Sequence, residues 1–325
     1  MRTAPDLSVV VEWENVMFSE RTRAVRMLGI LRKQAEAIDR TVEVIVVFDA
    51  NRIDRADVET YVYEHAEQRD REKSVEWRVE AAEASHYYEL KNEGARRSRG
   101  QVVIFLDSDV VPEDDWLKGI SAPFFASPEI AVLAGHTSVA HESTFEKAFA
   151  LGWFFPLRDP DNVIHSNRQR FFANNVAFRR DVILNHPFPV MPEGATRGAC
   201  GDLARTLSSS GVRIWTNTAA RAQHPPPSNP RHFVVRALAH GRDIVVYETE
   251  AGHTLLEALR RSLRWSCTYT IGAARRMKSE GHEVGLRFWQ LPAALCIMIC
   301  FYCLAFLAGC ATALFPDYAR RHWRI

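Results

Sequence analysis

Residues 102–106 (Val102, Val103, Ile104, Phe105 and Leu106) are apolar at every position and end in Asp107. A strand with one solvated face alternates apolar and polar residues, whereas one that is apolar throughout must be covered on both faces. Residues 42–48 read the same way except at Glu43, and residues 8–11 form a shorter β-branched run. Between these runs lie helical patterns. Residues 19–38 place Val25, Leu28, Leu31 and Ile38 at helical spacing among Arg, Lys and Glu. Residues 54–70 form a more polar helical stretch, and residues 88–98 a helix ended by Gly100. Residues 74–79 are expected as a short edge strand and residues 131–139 as another strand. The alternation predicts an α/β fold: a mainly parallel sheet with helices on both faces.

The chain has 325 residues, enough for one large domain or two small ones. With 47% hydrophobic and 25% charged residues, wholesale disorder is excluded. Lys and Arg number 41 against 40 Asp and Glu, so no global basic field exists and no nucleic-acid partner is expected. Six cysteines are too few for a disulfide scaffold. Four of them (Cys296, Cys300, Cys303, Cys310) share one apolar run, which fits a reducing compartment.

That run, residues 291–315, carries no charged side chain over 25 residues. About 20 apolar residues cross a bilayer as a helix. Trp289 and Tyr318 stand at its edges and Arg287, Arg320 and Arg321 flank it. The Pro-rich residues 224–230 mark a boundary. The expected organisation is a globular domain at 1–230, an Arg-rich helical, interfacial segment at 231–287, a transmembrane helix at 288–316 and a short basic tail at 317–325. In the helical segment Leu255, Leu256, Leu259 and Leu263 accompany Arg260, Arg261, Arg264, Arg275, Arg276 and Lys278, a composition suited to a membrane surface. Residues 1–6 lack the pattern of an export signal, so the expectation is a membrane protein with one C-terminal span and its globular domain in the cytoplasm.

The strongest chemical signal is Asp107 and Asp109, spaced by one residue at the end of an apolar strand. In open α/β sheets ligands bind beyond the carboxyl ends of the strands. Two carboxylates there suit a hard divalent cation, Mn²⁺ or Mg²⁺, which prefers oxygen ligands and bridges to substrate phosphates. Asp202 begins a helical stretch at residues 203–207. An Asp there is either a carboxylate base or an ordinary helix cap. Trp153, Phe154 and Phe155 are either core or a surface on which a sugar stacks.

Four ordered stretches resemble the family 2 glycosyltransferases, which have the nucleotide-sugar-binding GT-A fold. Residues 44–49 resemble the second strand, whose terminal acid contacts the nucleoside. Residues 91–109 resemble the helix, glycine and strand leading into the family's DxD motif. Residues 172–181 resemble the segment beside the acceptor pocket. Residues 201–207 and 210–214 resemble the catalytic acidic motif and the strand after it. The likeness covers about residues 7–231. It implies an inverting, metal-assisted transfer from a nucleotide-diphospho-sugar donor to the hydroxyl of a glycan, lipid-linked or small-molecule acceptor, in envelope glycan or glycolipid synthesis. By the same resemblance Asp202 is the catalytic base. Glu12, Asp49, Asn92 and Asp107 bind the donor, Asp109 and His224 hold the metal, and Asn174 and Asn175 lie on the acceptor side.

The sequence departs from the family at three points. Glu12, Trp13, Glu14 and Asn15 replace a Pro-Thr-Tyr-Asn-like loop. Phe48 precedes Asp49 where a second acid is usual, and Gly201 stands where a Glu usually precedes the catalytic Asp. Arg261, Arg264 and Trp265 only partly match the Gln-x-x-Arg-Trp of processive synthases, and processivity is not inferred. Two other classes fit some of these features. A haloacid-dehalogenase-like phosphohydrolase or phosphotransferase would use Asp107 as nucleophile. A membrane-anchored binding protein would keep the fold without turnover.

Overall fold

The computed structural model of the chain describes residues 4–17, 21–63, 75–83, 86–166, 170–192, 195 and 197–322. It divides into two compact units. The first takes in residues 1–137, 158–190 and 198–224, and the second residues 138–157, 191–197 and 225–325.

The first unit is built on a mixed sheet. Its parallel half comprises β1 (Leu7–Glu12), β2 (Val42–Asp49), β3 (Val75–Ala82) and β4 (Val102–Asp107). The chain passes between them through α1 (Arg21–Ala37), α2 (Arg55–Tyr63) and α3 (Tyr87–Arg97). Every residue of β1, β2 and β4 is buried, as their largely apolar runs require, with Ser8 and Glu43 buried among them. β3 stands at the edge and is only half-buried. The inward stripe of α1 is Ala24, Met27, Leu28, Leu31 and Ala35. Val25 and Ile38, which share the helical spacing, are only partly covered.

The rest of the sheet is formed by β5 (Val111–Pro112), β6 (Val132–Val139), β7 (Ile164–His165), β8 (Asn175–Arg179) and β9 (Ile214–His224), with α4 (Trp116–Ala126), α6 (Arg180–Asn185) and α7 (Ala199–Ser209) around it; α5 (Thr144–Gly152) belongs to the second unit. The strand order is β3-β2-β1-β4-β8-β6-β9-β5, with β7 beside β9. β8 runs antiparallel to both β4 and β6, and β5 and β7 run antiparallel to β9. The alternation read from the first half of the sequence is thus the parallel half of a mixed sheet.

Two buried polar residues fasten the amino ends of the parallel strands. The Ser8 hydroxyl donates to Glu43 Oε1 at 2.6 Å and accepts from the Gly100 N–H at 2.8 Å. Arg99 adds its backbone N–H to the same carboxylate oxygen at 2.6 Å. A Cβ on Gly100 would lie 2.6 Å from the Ser8 backbone nitrogen, so position 100, three residues past α3, must be glycine for close approach.

The second unit is helical: α5, α8 (Pro230–Glu250), α9 (Leu255–Ser279), α10 (Leu291–Leu314) and α11 (Pro316–His322). Its helix starts follow from local chemistry. Ser143 with Glu146 and Thr254 with Glu257 form capping boxes, and Asn229 caps α8 ahead of Pro230. α8 and α10 pack so closely that a Cβ on Gly241 would lie 1.7 Å from the Ala305 carbonyl oxygen. Trp153 and Phe155 are buried, and Trp153 packs on Phe149 and Phe301. These aromatics are core, not a sugar-stacking surface.

His240, on α8, accepts a hydrogen bond from Trp153 Nε1 at 3.2 Å and stacks on Trp265. Burial, with Arg197 nearby, pushes its pKa down to about 3 from the ordinary 6.5. The unfolded chain therefore takes up this proton at a higher pH than the folded one. The stabilisation is complete above about pH 6.5 and is lost as the pH falls towards 3. The slope from one such proton is at most about 1.4 kcal/mol per pH unit. Urea unfolding followed between these pH values should show it, and His240→Gln should flatten it. An equal slope in the variant would assign the acid sensitivity elsewhere.

Candidate functional site

The chain leaves β1 for β2 on one side and later enters β4 on the other, which opens a crevice at the carboxyl ends of β1 and β4. Glu12 and Asp107 end these strands directly opposite one another. Asp49 ends β2 at the same edge.

Asp107 is nearly saturated. Lys91 Nζ donates to Oδ1 at 2.7 Å, the Tyr87 hydroxyl lies 2.7 and 2.9 Å from the two oxygens, and Asn15 Nδ2 lies 3.3 Å from Oδ2. Lys91 is completely buried and its ammonium lies 4.6 Å from the Tyr87 ring centroid. Glu12 accepts from the Glu14 N–H and from Asn15 Nδ2, both at 2.8 Å. Burial, reinforced by the Asp107 carboxylate, holds its carboxyl well above the usual range. The same two causes raise the Tyr87 phenol, which stays a donor. Trp13 is buried and Glu14 pairs with Arg52 at 2.7 Å. The residues that depart from the family loop thus build the wall of this crevice.

Asp109 is the opposite case. The Val110 N–H donates to the Asp107 carbonyl at 3.1 Å and closes a turn over Ser108 and Asp109. The Asp109 side chain is fully buried, and among the described residues neither carboxylate oxygen has a hydrogen-bond partner. Asp49 is intermediate: Oδ1 accepts from the Asn51 N–H at 2.9 Å, while Oδ2 is buried without a partner among the described residues.

The remaining candidates lie around this centre. Asn175 starts β8 opposite Leu106, beside Asp107. It accepts from Trp116 Nε1 at 2.9 Å and donates to the Ala220 carbonyl at 3.0 Å, tying β8 to α4 and β9. Asn174 Oδ1 accepts from the Thr137 hydroxyl at 3.2 Å. Asn92 bonds the Phe188 backbone through both ends of its amide, at 2.9 and 3.0 Å, and so anchors the chain after α6 to α3. His224 is the last residue of β9, where the ladder pairs Gln223 with Val111. One further step sets His224 opposite Val110, next to Asp109.

Asp202 lies in the first turn of α7, and the cap of that helix is Gly198, in the left-handed region at φ 115°. Asp202 is therefore not the helix cap. It is partly exposed and pairs with Arg205. Its helix is held at the site by Cys200, whose sulfur lies 3.7 Å from the Tyr88 hydroxyl, one residue from Tyr87.

Residues 25–185 match the model of glycosyl transferase family 2. The chain carries a family 2 glycosyltransferase domain. No curated protein sequence matches this glycosyltransferase. Among solved structures it resembles the mannosyltransferase PcManGT from Pyrobaculum calidifontis, described in complex with GDP-Man and Mn²⁺. The identity is 14%, the TM-score 0.56, and the match covers 97% of this chain and 88% of that one. At that identity the likeness establishes the fold, which is GT-A. GalNAc-T7, described with UDP, GalNAc and Mn²⁺, aligns over 70% of this chain and 45% of its own at 14% identity. Its TM-score of 0.47 is too low to bear on the argument. The phosphohydrolase alternative gives way to the family match, and Lys91 and Tyr87 occupy the oxygens that Asp107 would need as a nucleophile.

The residues at this crevice would fit a divalent cation at Asp109. A buried carboxylate with no donor or counter-charge is strongly unfavourable, and a hard cation removes the penalty. Among the described residues no three His, Cys, Asp or Glu side chains gather to hold a metal. One carboxylate completed by substrate phosphates and water is an ordinary arrangement for Mg²⁺ and Mn²⁺.

No motif in the sequence marks a role for Tyr87 or Lys91. Their signal is spacing: four residues apart, they share one face of α3, and that face meets the end of β4. Lys91→Met should leave Asp107 a buried, under-compensated charge and lower stability by about 3–5 kcal/mol in urea unfolding. A loss below about 1 kcal/mol would mean that Tyr87 and Asn15 hold Asp107 without Lys91.

Proposed function

We propose that this glycosyltransferase moves a sugar from a nucleotide-diphospho-sugar to an acceptor hydroxyl with inversion. The observation that carries the reading is the buried carboxylate of Asp109, unpartnered among the described residues, at the crevice between β1 and β4. Mn²⁺ or Mg²⁺ bound there would neutralise charge developing on the departing diphosphate. The Mn²⁺ and GDP-Man of PcManGT support the same donor class.

The chain's own residues then divide the work. Lys91, Tyr87 and Asn15 fix Asp107, leaving it to orient the donor ribose. Asp49 Oδ2 and the Glu12–Asn15 wall face the nucleoside. An acceptor hydroxyl is a weak nucleophile, and Asp202 takes its proton as general base. Asp202 is well suited to this because its side chain is partly open to solvent and its pairing partner, Arg205, lies on an exposed helix face. His224 is the candidate second protein ligand, and Asn174 and Asn175 shape the acceptor side. Membrane association through α10 favours a lipid-linked or envelope acceptor.

A donor screen tests the reading. UDP-, GDP- and dTDP-sugars are added with Mn²⁺ and the melting temperature is followed. One donor class at a hundred times its Kd should stabilise by about 2.7 kcal/mol, and chelation should remove the shift. No metal-dependent shift with any nucleotide sugar would refute the proposal.

A further inference from the structure

We infer that the second unit carries a membrane-docking face, on which α10 lies along the surface of a bilayer containing anionic lipids instead of crossing it. By length and composition Phe288–Leu314 is sufficient to cross, with a mean hydropathy of 2.4. The packing of the unit argues for the flat arrangement.

One face of α10 is covered. Ala294, Met298, Phe301, Tyr302, Ala305 and Gly309 are buried against neighbouring helices. The other face is open along the whole helix: Cys296, Ile299, Cys300, Cys303, Leu307 and Leu314 are exposed at helical spacing. α9 runs antiparallel beside it. The Trp265 and Tyr269 rings meet Tyr302 at 5.5 and 5.7 Å, and Ser262 Oγ would lie 2.9 Å from a Cβ on Gly309.

α9 is turned the opposite way from what its leucines suggest. Its core face is Ala258, Ser262, Ser266, Ala273 and Met277. Leu256, Leu263, Cys267 and Ile271 point outward. Arg260 and Lys278 share that face and Arg264 and Arg275 border it, all four exposed. Exposed apolar and basic residues gathered on one side of a surface helix are the pattern of an interfacial element.

Dimensions decide between the two orientations. Arg264 and Arg275 are eleven residues apart, about 16 Å along a helix. The hydrocarbon core is about 30 Å thick. With α9 packed alongside, an upright α10 would carry these two arginines into hydrocarbon together. It would also bring in the neighbouring Arg260 and the Arg242–Asp243 pair of α8, whose helix touches α10 at Gly241. Laid flat, the open stripes of α9 and α10 enter the acyl boundary by about 5–10 Å and the basic residues meet the headgroup phosphates.

The test uses the full-length protein with nitroxide-labelled single thiols: Cys296 alone, Cys303 alone, and Leu307→Cys and Leu314→Cys in a background whose native cysteines are alanine. Depth is read by power saturation on vesicles of phosphatidylcholine with about 30% phosphatidylglycerol. The expected result is four depths within about 5 Å of one another. A profile with Cys303 deepest and Leu314→Cys back at the surface, across about 16 Å of helix, would overturn the proposal. Arg260→Glu, Arg264→Glu and Arg275→Glu combined should weaken vesicle partition at least about tenfold with an unchanged melting temperature. Unchanged partition, or no vesicle binding together with a dimer by light scattering, would also overturn it. The dimer would assign the face to a second copy of the chain.

Discussion

Asp109→Asn is expected to abolish metal-dependent donor binding and to reduce turnover by about a thousandfold or more, because a divalent cation is worth several kcal/mol of charge stabilisation. The same variant should be more stable than the parent when metal is absent. In the parent the Asp109 carboxyl is buried, and among the described residues neither oxygen has a partner. Replacing it with a neutral amide of the same shape removes much of that penalty, by about 1–3 kcal/mol. Added Mn²⁺ should stabilise the parent and leave the variant unchanged. Loss of activity combined with gain of stability separates a ligand from a structural residue, since a structural residue loses both. The paired measurement is calorimetric titration of nucleotide diphosphate with and without Mn²⁺, and chemical denaturation of the metal-free proteins. Equal metal-dependent affinity in the two proteins would remove Asp109 from the metal site.

Asp202→Asn should keep donor affinity and lose turnover by about 10²–10⁴, the usual contribution of a general base. The fold should tolerate the change. The cap of α7 is Gly198, and the partner of Asp202 is Arg205 on an exposed face, so little stability depends on the carboxylate. The family's usual Glu before this Asp is Gly201, whose Cβ would meet nothing within 4 Å. Gly201→Glu therefore has room, and it provides a second measurement. If the neighbouring acid contributes, the substitution should raise the rate of the parent and fail to rescue Asp202→Asn. Transfer by Asp202→Asn at the parental rate would assign the proton to another group. Retained donor binding without turnover in the parent itself would favour the non-catalytic reading of the same fold.

The sequence by itself determined the parallel half of the sheet. The runs at 42–48 and 102–106 are apolar on both faces, and only a strand covered by helices on both sides satisfies them. It also determined that acids would stand at one edge, because Asp49 and Asp107 end such strands. It determined α10, since an uncharged run of that length has no other regular solution. The tertiary structure decided the antiparallel half. β8 is five residues long and β5 and β7 two each, too short for periodicity to register, and their pairing is set by distant partners.

Within the site, two acids one residue apart look alike in sequence. Only the fold shows that Lys91 and Tyr87 hydrogen-bond Asp107 while Asp109 is left bare among the described residues, because the partners come from a helix 16 and 20 residues away. The helical unit gives the same lesson. The spacing of Leu256, Leu263 and Ile271 marks one face of α9, but periodicity does not say whether that face turns inward. Aromatic packing against Tyr302 and the glycine contact at Gly309 put the small residues inside and the leucines outside. Local pattern records which residues share a face. Which neighbour covers that face is a long-range choice, fixed by packing among segments far apart in the chain.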